Sequence, residues 1–210
     1  MKKALLSLAA FALSQIPAFA AVDLGYAVSR TPYESYMRPV KQVLGSVQDT
    51  DPKMDRVVAL MRQGRLFRYA HTDPYNPASP EQTAQRRVGD CKDKSLWLCD
   101  QLNDPSARFV IGKMKRGSRI SHAWVMWQGE GRWWILDCTM NFAPIPADRV
   151  GSDAYVPLYS YSKGVAFRHT GMSRSAVASV ASKARAPLAS KSAPMAKAPV
   201  AANGIRLAAN

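Results

Sequence analysis

The sequence lacks several features that would each have indicated a particular class of protein. It has no uninterrupted apolar run of the roughly 20 residues that a membrane-spanning helix needs. It also has no glycine-rich phosphate loop and no internal repeat. Hydrophobic residues make up 47% and charged residues 21%, so the chain is neither wholly disordered nor a membrane bundle. Its 210 residues leave room for one domain with additions at the ends.

Acidic residues are few. Lysine and arginine total 29 against 15 aspartates and glutamates, which gives a formal charge of +14. Over half of this charge lies at the two ends, because Lys2 and Lys3 contribute +2 and residues 172–210 contribute +6 without any acid. A nucleic-acid-binding domain concentrates its charge on the folded part, so we expect no nucleic-acid partner.

Residues 1–20 have the pattern of a signal peptide. Lys2 and Lys3 precede a moderately apolar stretch over 4–16, and Ala18-Phe19-Ala20 offers small residues for cleavage after position 20. We therefore expect the mature protein to be exported, either to the periplasm or to the extracellular space.

The other end of the chain is of low complexity. Residues 172–210 are rich in Ala, Pro, Ser and cations and poor in large side chains, which predicts a flexible cationic tail. A solvated tail is favoured over one that contacts an anionic envelope weakly, because its charges are spaced apart. Residues 21–171 form the predicted domain between the two ends.

Metal ligands are scarce. The chain has no Cys-x-x-Cys motif, and its three histidines, His71, His122 and His169, show no paired ligand spacing. Zinc sites use such closely spaced ligands, so we expect neither a metal nor a cofactor. His71 and His169 stand alone, and we expect no catalytic part for either.

The three cysteines cannot all be paired. An odd number leaves at least one free thiol in an exported protein. Cys91 and Cys99 are eight residues apart on one predicted helix, a rise of about 12 Å that a disulfide does not span. A Cys99–Cys138 bridge stays open, and the alternative is that both are small buried hydrophobic residues.

Cys91 differs because it stands at a predicted helix start. Asp90 before it is a favourable N-cap, and Asp93 suits the second half of a capping box. Apolar residues then recur at helical spacing. The unpaired backbone N–H groups and the dipole at this position favour a thiolate and can hold an oxyanion. Lys92 and Lys94 are expected in solvent, where they add little to the potential.

Strands are predicted after this helix ends near Asn103. The alternating segments are 108–115, 121–128 and 132–139, and one further strand is expected near 154–161 or 165–169. All five tryptophans lie between residues 97 and 134, which predicts a core around the helix and these strands.

His122 and Asp137 lie on the two strands of a predicted hairpin. Side chains alternate between faces, so the two share a face only when the loop has an even number of residues. A two-residue Gly129-Glu130 loop in a type II′ turn satisfies this condition and pairs His122 with Asp137 directly, and a four-residue loop keeps the same parity. A three-residue loop with a bulge pairs His122 with Cys138 and turns Asp137 away. The sequence permits both parities.

With an even loop, the residues can form a nucleophilic triad. The Asp137 carboxylate accepts one ring N–H of His122, and the other ring nitrogen exchanges a proton with Cys91, if the helix start packs against the same face. Without this arrangement, Cys91 and His122 are ordinary structural residues. Asp137 lies among apolar neighbours, where a carboxylate is costly to bury without a partner.

The same residues carry a resemblance to the transglutaminase-like superfamily, and more closely to its bacterial cysteine-peptidase branch. The three motifs are Gly-Asp-Cys-Lys-Asp-Lys-Ser at 89–95, His-Ala-Trp-Val at 122–125 and Trp-Ile-Leu-Asp-Cys-Thr at 134–139. The resemblance implies an α+β, papain-like core in which the nucleophile-bearing helix packs on an antiparallel sheet. It also implies Cys91 as nucleophile, His122 as general base and Asp137 as the residue that orients the base.

The chain departs from the usual motifs at two places. Asp137-Cys138-Thr139 stands where many relatives have Asp-Pro-Thr, and Met126 stands where an acid often follows the histidine motif. Neither change removes a member of the triad. Gln85 is a candidate for the side chain that completes the oxyanion hole.

The resemblance implies a thiol enzyme that acts on amide bonds of a protein or peptide substrate through a thioester acyl-enzyme. Hydrolysis, as by a cysteine peptidase, is favoured over crosslinking because water needs no second binding site. The alternatives are a protein-glutamine transamidase and a catalytically silent, envelope-binding module of the same fold. The expected state is a monomer.

Overall fold

The computed structural model describes residues 22–72, 76–151 and 153–170. The predicted signal peptide at 1–20 and the predicted tail at 172–210 lie outside these residues. Within the described ranges, no helix is both long enough and apolar enough to cross a bilayer.

Helices occupy the first half of the described chain. Proline stands in the first turn of two of them, where its missing N–H costs no hydrogen bond. The last helix has Asn103 as its C-cap, the residue directly after its end, and Asn103 adopts the left-handed conformation that often closes a helix. The α-helices of the described residues are α1 (Arg38–Ser46), α2 (Met54–Leu66), α3 (Pro80–Arg86) and α4 (Cys91–Leu102).

Strands make up most of the second half. The strands of the described residues are β1 (Tyr26–Val28), β2 (Arg68–Tyr69), β3 (Val88–Gly89), β4 (Arg108–Lys115), β5 (His122–Gly129), β6 (Arg132–Leu136), β7 (Ile145–Pro146), β8 (Ala154–Ser162) and β9 (Val165–Arg168). Seven of them form one sheet in the order β1-β9-β8-β4-β5-β6-β7, and every neighbouring pair in it is antiparallel. The short strands β2 and β3 pair separately and are parallel.

The sequence predicted a single further strand after the hairpin, and this prediction was wrong because the structure has more than one. Both candidate segments are strands, and β8 and β9 pair with each other in an antiparallel hairpin. The two-residue strand β7 also adds to the edge of the sheet beside β6. A strand this short has no alternation long enough to be recognised in a sequence.

The sheet has an apolar cluster on each of its faces. On one face, Ala123, Val125 and Trp127 of β5 pack with α4 in the larger core, which also takes in α1 and α2. On the opposite face, Trp124 and Met126 belong to a smaller cluster. This alternation is what a strand with both faces covered should show. The expected fold class is confirmed, because the helix that begins at Cys91 packs on an antiparallel sheet.

Candidate active site

Helix α4 begins at Cys91 in the predicted way. The Asp90 side chain accepts from the backbone N–H groups of Lys92 at 3.0 Å and Asp93 at 3.4 Å. In return, the Asp93 carboxylate accepts from the backbone N–H of Asp90 at 3.0 Å, which completes a capping box. The box fixes the first turn of the helix, and the half-buried Cys91 is its first residue.

The prediction that the two following lysines lie in solvent was wrong. Lys92 and Lys94 are both buried. The Lys92 ammonium donates to the carbonyl oxygen of Thr72 at 3.0 Å, to the Thr72 hydroxyl at 2.7 Å, and to the Asp90 carboxylate. The Lys94 ammonium donates to the carbonyl oxygen of Phe67 at 2.6 Å, and burial lowers its pKa. Both cations therefore bind chain segments that precede the helix.

The segment before α3 is attached to the same helix start. The Thr72 hydroxyl donates to Asp93 at 3.1 Å, and the backbone N–H of Ala78 donates to the other oxygen of that carboxylate at 2.8 Å. Asp93 thus caps its own helix and also binds Thr72 and Ala78, which belong to the chain before α3. The exposed His71 lies 3.7 Å from an Asp90 oxygen, outside hydrogen-bonding range.

The hairpin has the even parity that the triad interpretation requires, but not the two-residue turn first considered. Gly129 pairs with Arg132, so the two-residue loop is Glu130-Gly131 and the predicted Gly129-Glu130 loop was wrong. Both loop residues have positive φ, 51° and 74°, which is the type I′ turn whose twist suits a hairpin. Because the loop is still even, His122 and Asp137 fall on the same face.

The new register makes His122 and Asp137 diagonal neighbours rather than a direct pair. Val125 pairs with Leu136, and Asp137 follows directly after β6. Nε2 of His122 lies 2.8 Å from Oδ2 of Asp137. The bulged alternative, which pairs His122 with Cys138, does not occur.

The triad interpretation assumed that His122 lies on the face of the sheet that α4 covers. This assumption was wrong. The ring of His122 stacks on Trp124 of the opposite face, with ring centroids 6.1 Å apart. The Cys91 thiol nevertheless lies close enough to the imidazole to help raise its pKa. His122 is the first residue of β5, so the contact forms at the end of the sheet, beside the start of α4.

The structure therefore brings the thiol, the imidazole and the carboxylate together, and the imidazole hydrogen-bonds to the carboxylate. Burial by itself lowers the pKa of His122, but the hydrogen bonds and the charges of Asp137 and Cys91 outweigh it and raise the pKa to about 9. The imidazole is then protonated at neutral pH. Nε2 bonds to Asp137, which leaves Nδ1 as the ring nitrogen for the thiol.

The Asp137 carboxylate is almost completely buried and has a donor for each oxygen. Oδ1 accepts from the backbone N–H groups of Thr139 at 3.0 Å and Met140 at 3.3 Å. Oδ2 accepts from Tyr155 at 3.0 Å in addition to His122. Sequence reasoning missed Tyr155, because nothing in the pattern of 154–161 distinguishes one strand tyrosine from another.

The remaining candidates lie elsewhere. Cys99 and Cys138 are buried free thiols, so the open bridge between them is absent. Burial raises the pKa of Cys138 to about 12, which leaves it a neutral thiol. His169 is buried and bonds to Asp23 and Ser160. Gln85 is exposed in α3, and its part in an oxyanion hole stays a prediction.

In the part of the chain that the structure describes, no group of three or more His, Cys, Asp and Glu side chains could hold a metal ion. The site consists of protein groups: a thiol at a helix start, a charged imidazole and a buried carboxylate. Fold and site together define an α+β protein in which a cysteine at a helix start lies beside a histidine that hydrogen-bonds to a buried aspartate.

Solved structures offer some similar folds. Legionella pneumophila LapG aligns with a TM-score of 0.48 and 13% identity, over 73% of this chain and 87% of that one. Its calcium-bound form aligns with a TM-score of 0.47 at 13% identity, over 72% and 88% of the two chains. A candidate cysteine protease from Cytophaga hutchinsonii aligns with a TM-score of 0.37 at 18% identity, over 55% and 40%. No family model and no curated protein matches the chain. At these identities the matches say nothing of substrate or activity.

Proposed function

We propose that this chain is an exported cysteine peptidase of the transglutaminase-like kind. The observation that carries the proposal is the grouping of Cys91 and Asp137 around His122, whose ring hydrogen-bonds to Asp137 and whose pKa both residues raise. A nucleophile, a base and a group that orients the base are the parts that nucleophilic acyl transfer requires. The signal-peptide pattern of residues 1–20 supports export.

The mechanism follows from the protonation of the site. The raised pKa of His122 makes it an imidazolium at neutral pH, and this cation stabilises a thiolate at Cys91. The thiolate attacks the amide carbonyl, and the backbone N–H of Cys91 stabilises the oxyanion, since those of Lys92 and Asp93 are bound to the Asp90 side chain. His122 donates its proton to the leaving amine, and a thioester with Cys91 remains. Water then attacks the thioester while His122 accepts a proton, which releases the acid and restores the site.

Selective alkylation of Cys91 tests the proposal. At pH 6 we expect iodoacetamide to modify Cys91 faster than a model thiol, because the proposed site activates this sulfur as a nucleophile. The chain carries its own comparison, since the buried thiols of Cys99 and Cys138 should stay unmodified in the native protein. His122→Ala should reduce the rate at Cys91 to that of the model thiol.

Equal rates for Cys91 and the model thiol would refute the peptidase and favour a silent binding module. Peptide substrates then separate the two enzymatic alternatives. Cleavage that disappears in Cys91→Ala supports hydrolysis, whereas incorporation of a primary amine without cleavage identifies a transamidase. Extracellular-protein extracts, incubated with parent protein and with Cys91→Ala, should yield fragments only with the parent protein.

A further inference from the structure

The Asp137 carboxylate has a side-chain donor that the proposed mechanism does not use. Its Oδ2, which bonds to Nε2 of His122, also accepts the phenol hydrogen of Tyr155 at 3.0 Å. Tyr155 belongs to β8, which pairs with β4 and β9, so this donor reaches the site from outside the β5–β6 hairpin. Hydrogen bonds to an ionised acceptor are among the strongest in proteins.

A second side chain sets the direction of the phenol O–H. The amide Nδ2 of Asn141 donates to the Tyr155 oxygen at 2.7 Å, so the phenol hydrogen is left for Asp137. Burial, together with the charge of Asp137, raises the pKa of Tyr155. The phenol therefore keeps its proton and remains a donor at every pH at which the site would operate.

The backbone of Tyr155 is strained. Its φ of 46° lies in the left-handed region, which bulky residues rarely adopt. The ring is held edge-to-face against Trp124, with centroids 5.4 Å apart, and the phenol is held by Asp137 and Asn141. Strained residues persist where surrounding contacts over-determine them, and they cluster at functional sites.

The geometry points to Tyr155 as a positioning residue of the site, supported by Asn141: the pair holds the Asp137 carboxylate as an oriented anion beside His122. This inference rests on the proposed function, because it assigns Tyr155 a part in that mechanism. Tyr155 acts through Asp137 and is not itself a catalytic residue.

Other titratable groups also act on Asp137. Lys94 in α4 and the adjacent Cys138 interact with its charge, and Cys91 is connected to it through His122. These groups are the same in the parent protein and in a Tyr155 variant. A difference between the two proteins therefore reports on the phenol.

Tyr155→Phe isolates the O–H group, because it keeps the ring, the Trp124 contact and the backbone strain. Two pH titrations are compared with the parent: the rate of Cys91 alkylation and the NMR signals of the His122 ring. We expect the titration of the His122 ring to move up by about one pH unit, because a carboxylate that has lost a charge-assisted donor binds the imidazolium more strongly. Alkylation of Cys91 at neutral pH should slow severalfold, because the carboxylate that orients His122 has lost one of its donors.

Two further variants complete the experiment. Tyr161→Phe is the matched control, because Tyr161 lies in the same strand and its buried phenol bonds to Thr31 rather than to the site. It should lower thermal stability and leave both titrations unchanged. Asn141→Leu leaves Tyr155 in place and should shift both titrations in the same direction by a smaller amount.

The inference is overturned if Tyr155→Phe and Asn141→Leu lower only the melting temperature and both titrations coincide with those of the parent. Failure of the proposed function looks different. In that case Cys91 of the parent protein reacts no faster than a model thiol, and the His122 titration still decides whether Tyr155 acts on the carboxylate.

Discussion

At the scale of single residues, the site depends on aromatic side chains that pack directly on its polar groups. Trp124 is fully buried between His122, on which it stacks, and the ring of Tyr155. Gly112 of β4 pairs with His122, and a Cβ added there would lie 2.4 Å from the Trp124 ring. Protein interiors are close-packed, so a small change at this position must displace a side chain that contacts the imidazole.

Gly112→Ala should therefore affect both stability and the site. The new methyl would also lie 2.3 Å from the carbonyl oxygen of Val156, and neither backbone nor a buried indole can move aside easily. We expect the free energy of unfolding to fall by about 1–3 kcal/mol. Alkylation of Cys91 should slow as His122 shifts with Trp124. Urea denaturation and the alkylation rate measure the two effects.

Gly45→Ala is the matched control. Among the described residues, no atom beyond the chain neighbours and the helix's own backbone lies within 4 Å of a Cβ at this position in α1. Alanine should raise the free energy of unfolding by about 0.5–1 kcal/mol, because it stiffens the unfolded chain and favours the helix. Cys91 reactivity should not change. A Gly112→Ala protein as stable as the parent would contradict the packing argument.

At the scale of secondary-structure elements, the start of α4 is where local sequence and tertiary contacts combine. The capping box is local, whereas the bonds from Thr72 and Ala78 to Asp93 come from another segment. The Asp93 carboxylate therefore joins the first turn of the helix, with Cys91 in it, to the chain that precedes α3.

Asp93→Ala should loosen the first turn of α4. It leaves the buried N–H of Asp90, the N–H of Ala78 and the Thr72 hydroxyl without this acceptor. We expect the free energy of unfolding to fall by at least about 2 kcal/mol, more than a cap alone contributes. Alkylation of Cys91 should slow because its backbone position is no longer fixed.

The cap of α3 provides the comparison. The Ser79 hydroxyl accepts from the backbone N–H of Gln82 at 3.3 Å in an exposed position. Ser79→Ala should lower the free energy of unfolding by about 1 kcal/mol and leave Cys91 alkylation unchanged. If Ser79→Ala and Asp93→Ala slow the alkylation equally, the argument from Asp93 is wrong.

At the scale of the whole molecule, the site makes stability depend on pH. The folded protein raises the pKa of His122 from 6.5 to about 9, so folding favours the protonated ring. This contribution is complete below pH 6.5 and is lost as the pH rises through about 9. We expect the free energy of unfolding to fall between pH 6.5 and about 10, by on the order of 3 kcal/mol or less.

Urea denaturation across this pH range measures the effect. His122→Ala should be less stable at neutral pH and show a flatter curve over the same window. Asp137→Asn should flatten the curve as well, because it removes the charge that stabilises the imidazolium. A parent protein whose stability does not change in this range would show that the imidazolium is not favoured by folding.

Much of the local structure could be predicted because its causes lie within a few residues. The start of α4 at Cys91 follows from Asp90 and Asp93, and the shared face of His122 and Asp137 follows from strand alternation and an even loop. The choice between the Gly129-Glu130 and Glu130-Gly131 loops was wrong, because both satisfy that parity and differ only in turn type.

Contacts between distant segments could not be predicted in this way. The sequence predicts that Lys92 and Lys94 lie in solvent. In the fold, their ammonium groups donate to oxygen atoms of Thr72, Asp90 and Phe67, which makes their burial possible. A cation can be buried only where such partners accept its hydrogen bonds. The periodicity of apolar residues in a sequence does not show which distant residues these partners are.

By itself, the sequence determined the helix that begins at Cys91 and the strands of the hairpin, because dihedral preferences, caps and alternation act over short range. Only the tertiary structure decided that α4 lies on one face of the sheet while His122 points to the other, and that the two meet at its end. It also brought Tyr155 to Asp137. These contacts depend on how β8 and α4 pack against β5, which is a property of the whole core.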